Sequence, residues 1–208
     1  MATYTFITIA DLRAATAAQN DTATLLGYYL QDDGGGGEFY WETNNAVKNL
    51  PDNDGTIIGT SNMGRWVRIF SGSLSVRWFG AKANDNVSSG NTNSTAFKKA
   101  IDAAYAGLPN GVIYNQVFVP AGKYYIGSTI EIKDKPNLKI YGEGKSSVLR
   151  CNGITIFSIF SSTYNPDTAS QLLVTGNEIK DITLRGKSLP ADSPSTNSIG
   201  INLLGVTN

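Results

Sequence analysis

Four acidic residues in the second half of the chain are the side chains that could most directly carry out chemistry. They are Glu131, Glu143, Glu178 and Asp181. A pair of carboxylates about 5–10 Å apart can hydrolyse a glycosidic bond, and such a pair could project from strands stacked one above another. Each of the four also fits an ordinary solvated face, which is the interpretation we favour. The sequence therefore predicts no catalytic residue.

The absence of histidine and the single cysteine exclude several kinds of catalytic and metal site. The sequence contains no histidine, which excludes Ser-His-Asp and Cys-His catalysis and histidine ligation of a metal. Its one cysteine, Cys151, cannot form a disulfide within the chain. Because free cysteine packs as a small apolar residue, we expect Cys151 to be buried and inert. No cofactor and no metal site are predicted.

A run of four glycines, Gly34–Gly37, follows Asp32 and Asp33. A phosphate-binding loop would lead into a helix and usually carries a lysine, whereas this run leads into the aromatic segment Glu38–Glu42. The two aspartates show no regular spacing of oxygen ligands for calcium. The run therefore predicts a tight turn in which positive φ angles are needed.

Composition and charge exclude further classes of function. The 208 residues carry 17 Lys and Arg and 17 Asp and Glu, a net charge of +0, and 41% of them are hydrophobic. A globular chain with no basic stripe is not expected to bind nucleic acid; Lys98 and Lys99 fit a solvated helix face. No apolar run is long enough to insert into a membrane, and residues 1–7 do not resemble a signal peptide.

Residues 1–72 read as a small α+β module with mostly antiparallel strands. Thr8 can cap a helix that begins at Ile9, with Asp11 completing the capping pattern. Strands are predicted near residues 5–7, 24–30, 38–42, 56–58 and 64–70. The segment Ser71-Gly72-Ser73 is the predicted hinge into the next unit.

A second unit is predicted from residue 73 onward. Val76–Ala81 reads as a strand that ends in a turn, and a polar stretch then leads into a helix over about residues 94–106. Asn93, Ser94 or Thr95 can serve as the N-cap of this helix. Short strands bounded by Gly, Asn, Asp or Pro follow as far as residue 203. They lie near residues 113–119, 124–126, 129–132, 138–142, 154–157, 172–174, 182–186 and 200–203.

Two of these strands share a pattern that predicts a β-solenoid. Leu138-x-Ile140-x-Gly142 and Ile182-x-Leu184-x-Gly186 both read apolar–x–apolar–x–Gly. Their glycines are separated by about two coils of 22 residues, a plausible solenoid period. Ile201 and Leu203 repeat the apolar pair near the end of the chain.

Five motifs follow one another between residues 76 and 151. They are Val76-x-x-Phe79-Gly80-Ala81, the helix Thr95–Ala104, Val117-Phe118-Val119-Pro120-x-Gly122-x-Tyr124, Ile130-Glu131-Ile132 and Ile140-Tyr141-Gly142-Glu143-Gly144. This order resembles the start of the pectate-lyase-like right-handed β-helix family of phage tailspikes and depolymerases. Segments of the first module, such as Gly34–Trp41 and Gly64–Gly72, are similar to a region that often precedes such β-helices. The resemblance covers roughly residues 22–206.

The resemblance implies a mainly β chain: an N-terminal α+β module, then the first coils of a right-handed parallel β-helix with a capping helix. An open coil would pair with other chains, so a helix with one apolar face is a natural lid. We expect Phe97, Ile101 and Tyr105 to make the lid contacts. The chain departs from the family in the loop after Gly80-Ala81, which is usually acidic but here has one carboxylate, Asp85, between residues 84 and 95. If the acidic version does any ion or capping work, this chain does that work with neutral side chains or not at all.

The family implies a function in a virion. The expected protein is a tailspike or receptor-binding component, and the family implies a homotrimer. Residues 1–72 would be the virion-proximal module and residues 73–208 the start of the β-helix. Its expected partners are other virion structural proteins and a host surface polysaccharide, and its expected location is the virion, or extracellular when released. The alternatives are a polysaccharide depolymerase, whether lyase or glycoside hydrolase, and a bacterial surface adhesin. Residues 205–208 show no capping element, so we expect either a longer spike or a neighbour that covers the last coil.

Overall fold

The computed structural model describes residues 1–59, 63–107, 109, 111–161, 174–186 and 198–204. Its first sheet is built from five strands: β1 (Thr3–Phe6), β2 (Thr22–Leu25), β3 (Gly37–Glu42), β4 (Ile57–Ile58) and β5 (Arg65–Ile69). The strand order is β1-β2-β3-β5-β4. β1 runs parallel to β2, and the other neighbours are antiparallel, as the sequence predicted.

Helix α1 (Ile9–Ala14) packs on this sheet through Ile9 and Leu12. Thr8 and Asp11 form the predicted capping box, in which each side chain accepts a hydrogen bond from the other residue's backbone N–H. The helix ends at Ala14, earlier than the sequence suggested. A short helix α2 (Asn45–Lys48) follows β3.

The segment predicted as a strand over Val76–Ala81 is instead a 3-10 turn, so that prediction was wrong. Strand β6 (Leu74–Ser75) stops where the Ser75 hydroxyl accepts a hydrogen bond from the Arg77 N–H. The turn spans Val76–Phe79 and closes at Gly80, whose φ of 89° suits glycine. Val76 and Phe79 are three residues apart and both are buried, which a 3-10 turn allows because residues i and i+3 share one side.

Helix α3 (Gly90–Ala106) begins four residues before the predicted start, and its N-cap position is Ser89. None of Asn93, Ser94 and Thr95 caps it. The Asn86 side chain caps a preceding 3-10 turn, Val87–Ser89, which continues directly into the helix. Asn93 and Ser94 are buried inside the first turns and bind other segments of the chain.

The remaining strands form three coils. The first contains β7 (Gln116–Val119), β8 (Gly122–Tyr125) and β9 (Ile130–Lys133), the second β10 (Lys139–Arg150) and β11 (Thr155–Phe160), and the third β12 (Glu178–Arg185) and β13 (Ile199–Leu204). One sheet has the order β12-β10-β7-β6 with β8 also paired to β10, and the other has the order β13-β11-β9. Every pairing in both sheets is parallel. The predicted parallel β-helix is confirmed.

The spacing argument behind the solenoid prediction was wrong in detail. Ile140 pairs with Ile179 and Arg150 with Arg185, so β10 and β12 lie in adjacent coils rather than two coils apart. Ile201 and Leu203 belong to the other sheet, where they pair with β11. Loops between strands can vary freely in length, because only the strands must stay in register. Leu172 and Leu173 of the predicted strand 172–174 lie outside the described residues.

The β-helix core is continuous with one face of α3. Phe97 and Ile101 are fully buried in it, as predicted for the lid, and the Phe97 ring lies 5.8 Å from that of Tyr124. Tyr105 is half-buried and lies under the Lys135 ammonium instead. Cys151 is buried in the same core, as expected. Among the described residues, no helix is long and apolar enough to cross a membrane.

Candidate functional site

The four acidic residues considered for catalysis are all exposed on the outside of the β-helix. Glu131 lies on β9, whereas Glu143, Glu178 and Asp181 lie on the strands β10 and β12 of the other sheet. Within the described part of the chain, no cluster of three His, Cys, Asp or Glu residues could hold a metal ion.

Glu178 is the most strongly engaged of these carboxylates. It forms ion pairs with Lys180 at 3.1 Å and with Lys139 at 3.6 Å. The hydrogen bond from Lys180 and the charges of both lysines lower the pKa of Glu178. A carboxyl group held in its charged form is a poor general acid, so this arrangement suits a solvated face.

The glycine run forms the predicted turn, and Asp33 determines its shape. The Asp33 carboxylate accepts hydrogen bonds from the backbone N–H groups of Tyr28, Tyr29, Leu30 and Gly35, at 2.7–3.2 Å. Partial burial alone would raise the pKa of Asp33, but the four donors outweigh it and lower this pKa. Asp33 is therefore a structural acceptor rather than a calcium ligand.

This turn lies at the junction between the first sheet and the β-helix. The Tyr29 hydroxyl donates to the Gly80 carbonyl at 3.1 Å, and the Lys82 ammonium lies 4.0 Å from the centre of the Tyr29 ring. Arg77 reaches into the first coil, where it donates to the Tyr124 hydroxyl at 3.0 Å and to the Ala121 carbonyl at 2.6 Å. The Tyr29 contacts tie the glycine turn to the segment 80–82, and the Arg77 contacts tie the 3-10 turn to the first coil.

A group of charged residues connects the same two parts on another side. Asp54 forms ion pairs with Arg13 of α1 and with Lys99 of α3, and Arg13 also pairs with Asp52 at 2.7 Å. Burial, followed by the charge of Asp54, raises the pKa of the nearby Tyr28 to about 12. Because Lys99 belongs to the lid helix, this cluster joins the first sheet to the lid.

Two grooves border the junction. One, of about 430 Å³, is lined by the apolar residues Leu50, Ile57 and Ala103 and by the charged residues Asp52 and Lys99. The other, of about 490 Å³, lies between Tyr29 and the segment 81–84 and is lined by Asp33, Arg77 and Lys82. The junction thus offers mixed polar and apolar surface to a partner.

Neutral side chains hold the first turns of the lid helix α3 against the rest of the chain. Asn93 is fully buried and clasps two segments, because its amide accepts from the Lys82 N–H and donates to the Lys82 and Tyr125 carbonyls. The Ser94 hydroxyl accepts from the N–H groups of Gly127 and Ser128. The lid is held by these uncharged contacts as well as by its apolar face.

Sequence reasoning missed two residues at this junction. Asn93 was considered only as a helix cap, and Arg68 was considered only as part of the predicted strand near residues 64–70, although it is 2% exposed. A signal for Asn93 exists in hindsight, since it lies on the same helical face as Phe97 and Ala100. Arg68 gave no comparable signal, because its neighbours come from distant parts of the chain.

Comparison with known proteins agrees with this architecture. Residues 5–71 match the family model described as the phage tail protein small four-stranded beta-sheet domain. The tailspike gp42 of Acinetobacter phage vb_AbaP_AS12 superposes with a TM-score of 0.66 at 18% identity, over 98% of this chain and 33% of that one. The tailspike of Acinetobacter phage vB_ApiP_P1 gives a TM-score of 0.64 at 18% identity, over 97% and 31%.

The chain has the fold of phage tailspikes. A third tailspike, gp49 of Acinetobacter baumannii bacteriophage Fri1, described as a capsular polysaccharide depolymerase, gives a TM-score of 0.62 at 18% identity. It is covered to 35% of its length, against 98% of this chain. The chain thus spans about a third of the length of these tailspikes. The resemblance predicted from the motifs of residues 76–151 is confirmed.

Proposed function

We propose that this chain is the particle-proximal part of a phage tailspike. Residues 1–72 attach the spike to the virion, and the β-helix from residue 73 onward is the stalk that supports recognition of a host surface glycan. The observation that carries the proposal is the order of its parts: a segment matching a phage tail domain is joined through a lid helix to a parallel β-helix.

The junction geometry supports a role in attachment. The first sheet is held against the base of the β-helix, because the Tyr29 hydroxyl donates to the Gly80 carbonyl and Asp54 pairs with Lys99 of α3. A spike fixed at one end needs such a connection in order to transmit its orientation. We further propose a homotrimer, with other virion structural proteins as partners of the first sheet.

Proteomics of the virion tests the proposal. Purified phage particles that carry the gene should contain peptides of this protein in constant ratio to the tail proteins, and native mass spectrometry of the isolated protein should show three copies. Peptides found in a bacterial envelope fraction, and absent from the particles, would instead support a surface adhesin.

An enzymatic assay addresses depolymerase activity. The exposed and separately engaged carboxylates favour a chain without catalysis. Incubation with host capsular polysaccharide or lipopolysaccharide should therefore release neither new reducing ends nor unsaturated sugars. Release of either product would overturn the non-catalytic assignment while leaving the virion assignment intact.

A further inference from the structure

Arg68 is a buried cation with no acidic partner among the residues that the structure describes. It lies on β5 and is 2% exposed. Its guanidinium donates three hydrogen bonds to backbone carbonyls: Nε to Gly55 at 2.8 Å, Nη1 to Gly36 at 2.7 Å and Nη2 to Gly35 at 3.0 Å. Three peptide groups from two separate loops therefore converge on one side chain.

Two aromatic rings pack against the guanidinium. Its carbon lies 4.5 Å from the centre of the Phe39 ring and 4.7 Å from the centre of the Trp78 ring. Phe39 belongs to the first sheet, whereas Trp78 belongs to the 3-10 turn at the base of the β-helix. Burial lowers the pKa of Arg68 to about 9, so the side chain is still charged at neutral pH. Burying that charge is unfavourable, and an apolar side chain would fill the space without this penalty.

Two of the three glycines that bind Arg68, Gly35 and Gly55, also border the 3-10 turn. A Cβ atom on Gly55 would lie 2.3 Å from the Phe79 ring, and one on Gly35 would lie 3.1 Å from the Arg77 carbonyl. On the adjacent Gly34, a Cβ atom would lie 2.8 Å from the Arg77 side chain. The 3-10 turn therefore packs directly against backbone that Arg68 holds in position through its hydrogen bonds.

We propose that Arg68 is the positioning residue that couples the first sheet to the β-helix. By holding the peptides of Gly35, Gly36 and Gly55, it shapes a seat for the turn Val76–Phe79 and stacks on Trp78 of that turn. The glycine run Gly34–Gly37 forms part of this seat, and Arg68 holds it in position through hydrogen bonds to Gly35 and Gly36. This inference concerns the chain itself and stands or falls independently of the proposed virion role.

Arg65 provides a matched control on the same strand. It is also buried, at 7% exposed, and it also donates to backbone carbonyls, those of Leu50 and Gly64. Both of these partners belong to the first sheet and its loops, and neither is one of the glycines that border the 3-10 turn. Arg65→Met and Arg68→Met therefore remove the same charge and comparable hydrogen bonds, but only the second removes the seat.

Hydrogen exchange of the full chain tests the coupling. The reporters are the Gly80 and Ala81 amides, which donate to the carbonyls of Arg77 and Val76 and so report on the turn. In Arg68→Met their exchange should accelerate by roughly tenfold or more, as expected for local opening of a small unit. In Arg65→Met it should stay at the wild-type rate. Equal rates in wild type and Arg68→Met, or equal acceleration in both variants, would overturn the proposal.

Two further variants cover the case in which Arg68→Met does not fold. Arg68→Lys keeps the charge but cannot span three carbonyls, so it should also accelerate exchange at Gly80 and Ala81. Trp78→Leu leaves the three hydrogen bonds in place but removes the stacked ring from the turn, and it should accelerate exchange in the glycine run as well as in the turn. Unchanged exchange of the glycine run in Trp78→Leu would contradict a coupled seat.

Discussion

Asp33 closes the turn before the glycine run by accepting hydrogen bonds on both carboxylate oxygens. Oδ1 receives the N–H groups of Tyr28 and Gly35, and Oδ2 receives those of Tyr29 and Leu30. Four donors converging on one carboxylate leave no oxygen lone pair that a cation would need. At the residue scale, the Asp33 carboxylate holds the backbone of the turn and is not placed to bind a cation.

Replacing Asp33 with asparagine should destabilise the chain and weaken its response to acid. The amide nitrogen cannot accept hydrogen bonds, so two of the four donors lose their acceptor, and the free energy of unfolding should fall by about 1–3 kcal/mol at pH 7. The folded-state pKa of Asp33 lies below the unfolded value of about 3.9. Its stabilisation is therefore complete above that value and is lost as the pH falls through it toward the folded pKa.

Urea denaturation at pH 7 and pH 3 measures both effects. The difference between wild type and Asp33→Asn should shrink at the lower pH, because Asp33 of the unfolded wild-type chain becomes protonated there and the folded state loses part of its advantage. Asp32→Asn is the matched control, since Asp32 is exposed and its carboxylate accepts a hydrogen bond from the neighbouring Gln31 side chain. A difference that stays constant or grows on acidification would contradict this assignment.

At the scale of elements, α3 acts as a lid through one apolar face. Phe97 and Ile101 enter the core under the first coil, whereas Tyr105 stays half-buried at the end of the helix. Helical periodicity placed all three residues on one face, but it could not show that Tyr105 lies at the edge of the core, under the Lys135 ammonium. Depth of burial depends on where the first coil lies, which only the tertiary structure reveals.

Truncating two of the predicted lid residues one at a time should show that they contribute differently to the free energy of unfolding. Phe97→Ala removes a fully buried ring beside Tyr124 and should lower the free energy of unfolding by about 3–5 kcal/mol. Tyr105→Ala removes a partly solvated ring and should cost about 1 kcal/mol, as expected outside the core. Thermal and chemical denaturation of the two variants checks this order. Equal losses in the free energy of unfolding would mean that Tyr105 contributes as much to the core as Phe97, and would contradict this order.

The elements predicted best were those with a local physical cause. The capping box at Thr8 and Asp11 and the glycine turn after Asp33 follow from short-range hydrogen bonding and backbone freedom. The 3-10 turn over Val76–Phe79 was read as a strand although its buried residues Val76 and Phe79 lie at i and i+3, a spacing that a strand would place on opposite faces. Arg68 was missed because its three acceptors lie in loops distant in sequence. Contacts of that kind leave no periodic trace in the chain.

At the scale of the whole molecule, stability rests on stacking one coil on the next. Phe157 and Ile159 of the second coil are 0% and 4% exposed, but their partners in the third coil, Ile201 and Leu203, are 39% and 57% exposed. Paired residues in a parallel ladder point to the same side, so Ile201 and Leu203 continue the apolar column of the core. Among the described strands, β13 pairs with β11 and with no other. An apolar column and an unpaired strand edge thus coincide at the third coil.

This coincidence predicts self-association of the isolated chain through the third coil. Open strand edges pair with other chains unless charge or cover prevents it, and apolar side chains add to the attraction. Leu203→Glu places a charge in the exposed column and should abolish the large species that grow with concentration in sedimentation velocity. Asn202→Glu adds the same charge on the same strand but on its other side, next to Ser158, and should leave them. If the wild-type chain forms no such species, or if both variants behave alike, the third coil is not the associating surface. A trimer formed through a different face would persist in both variants, which separates the two kinds of assembly.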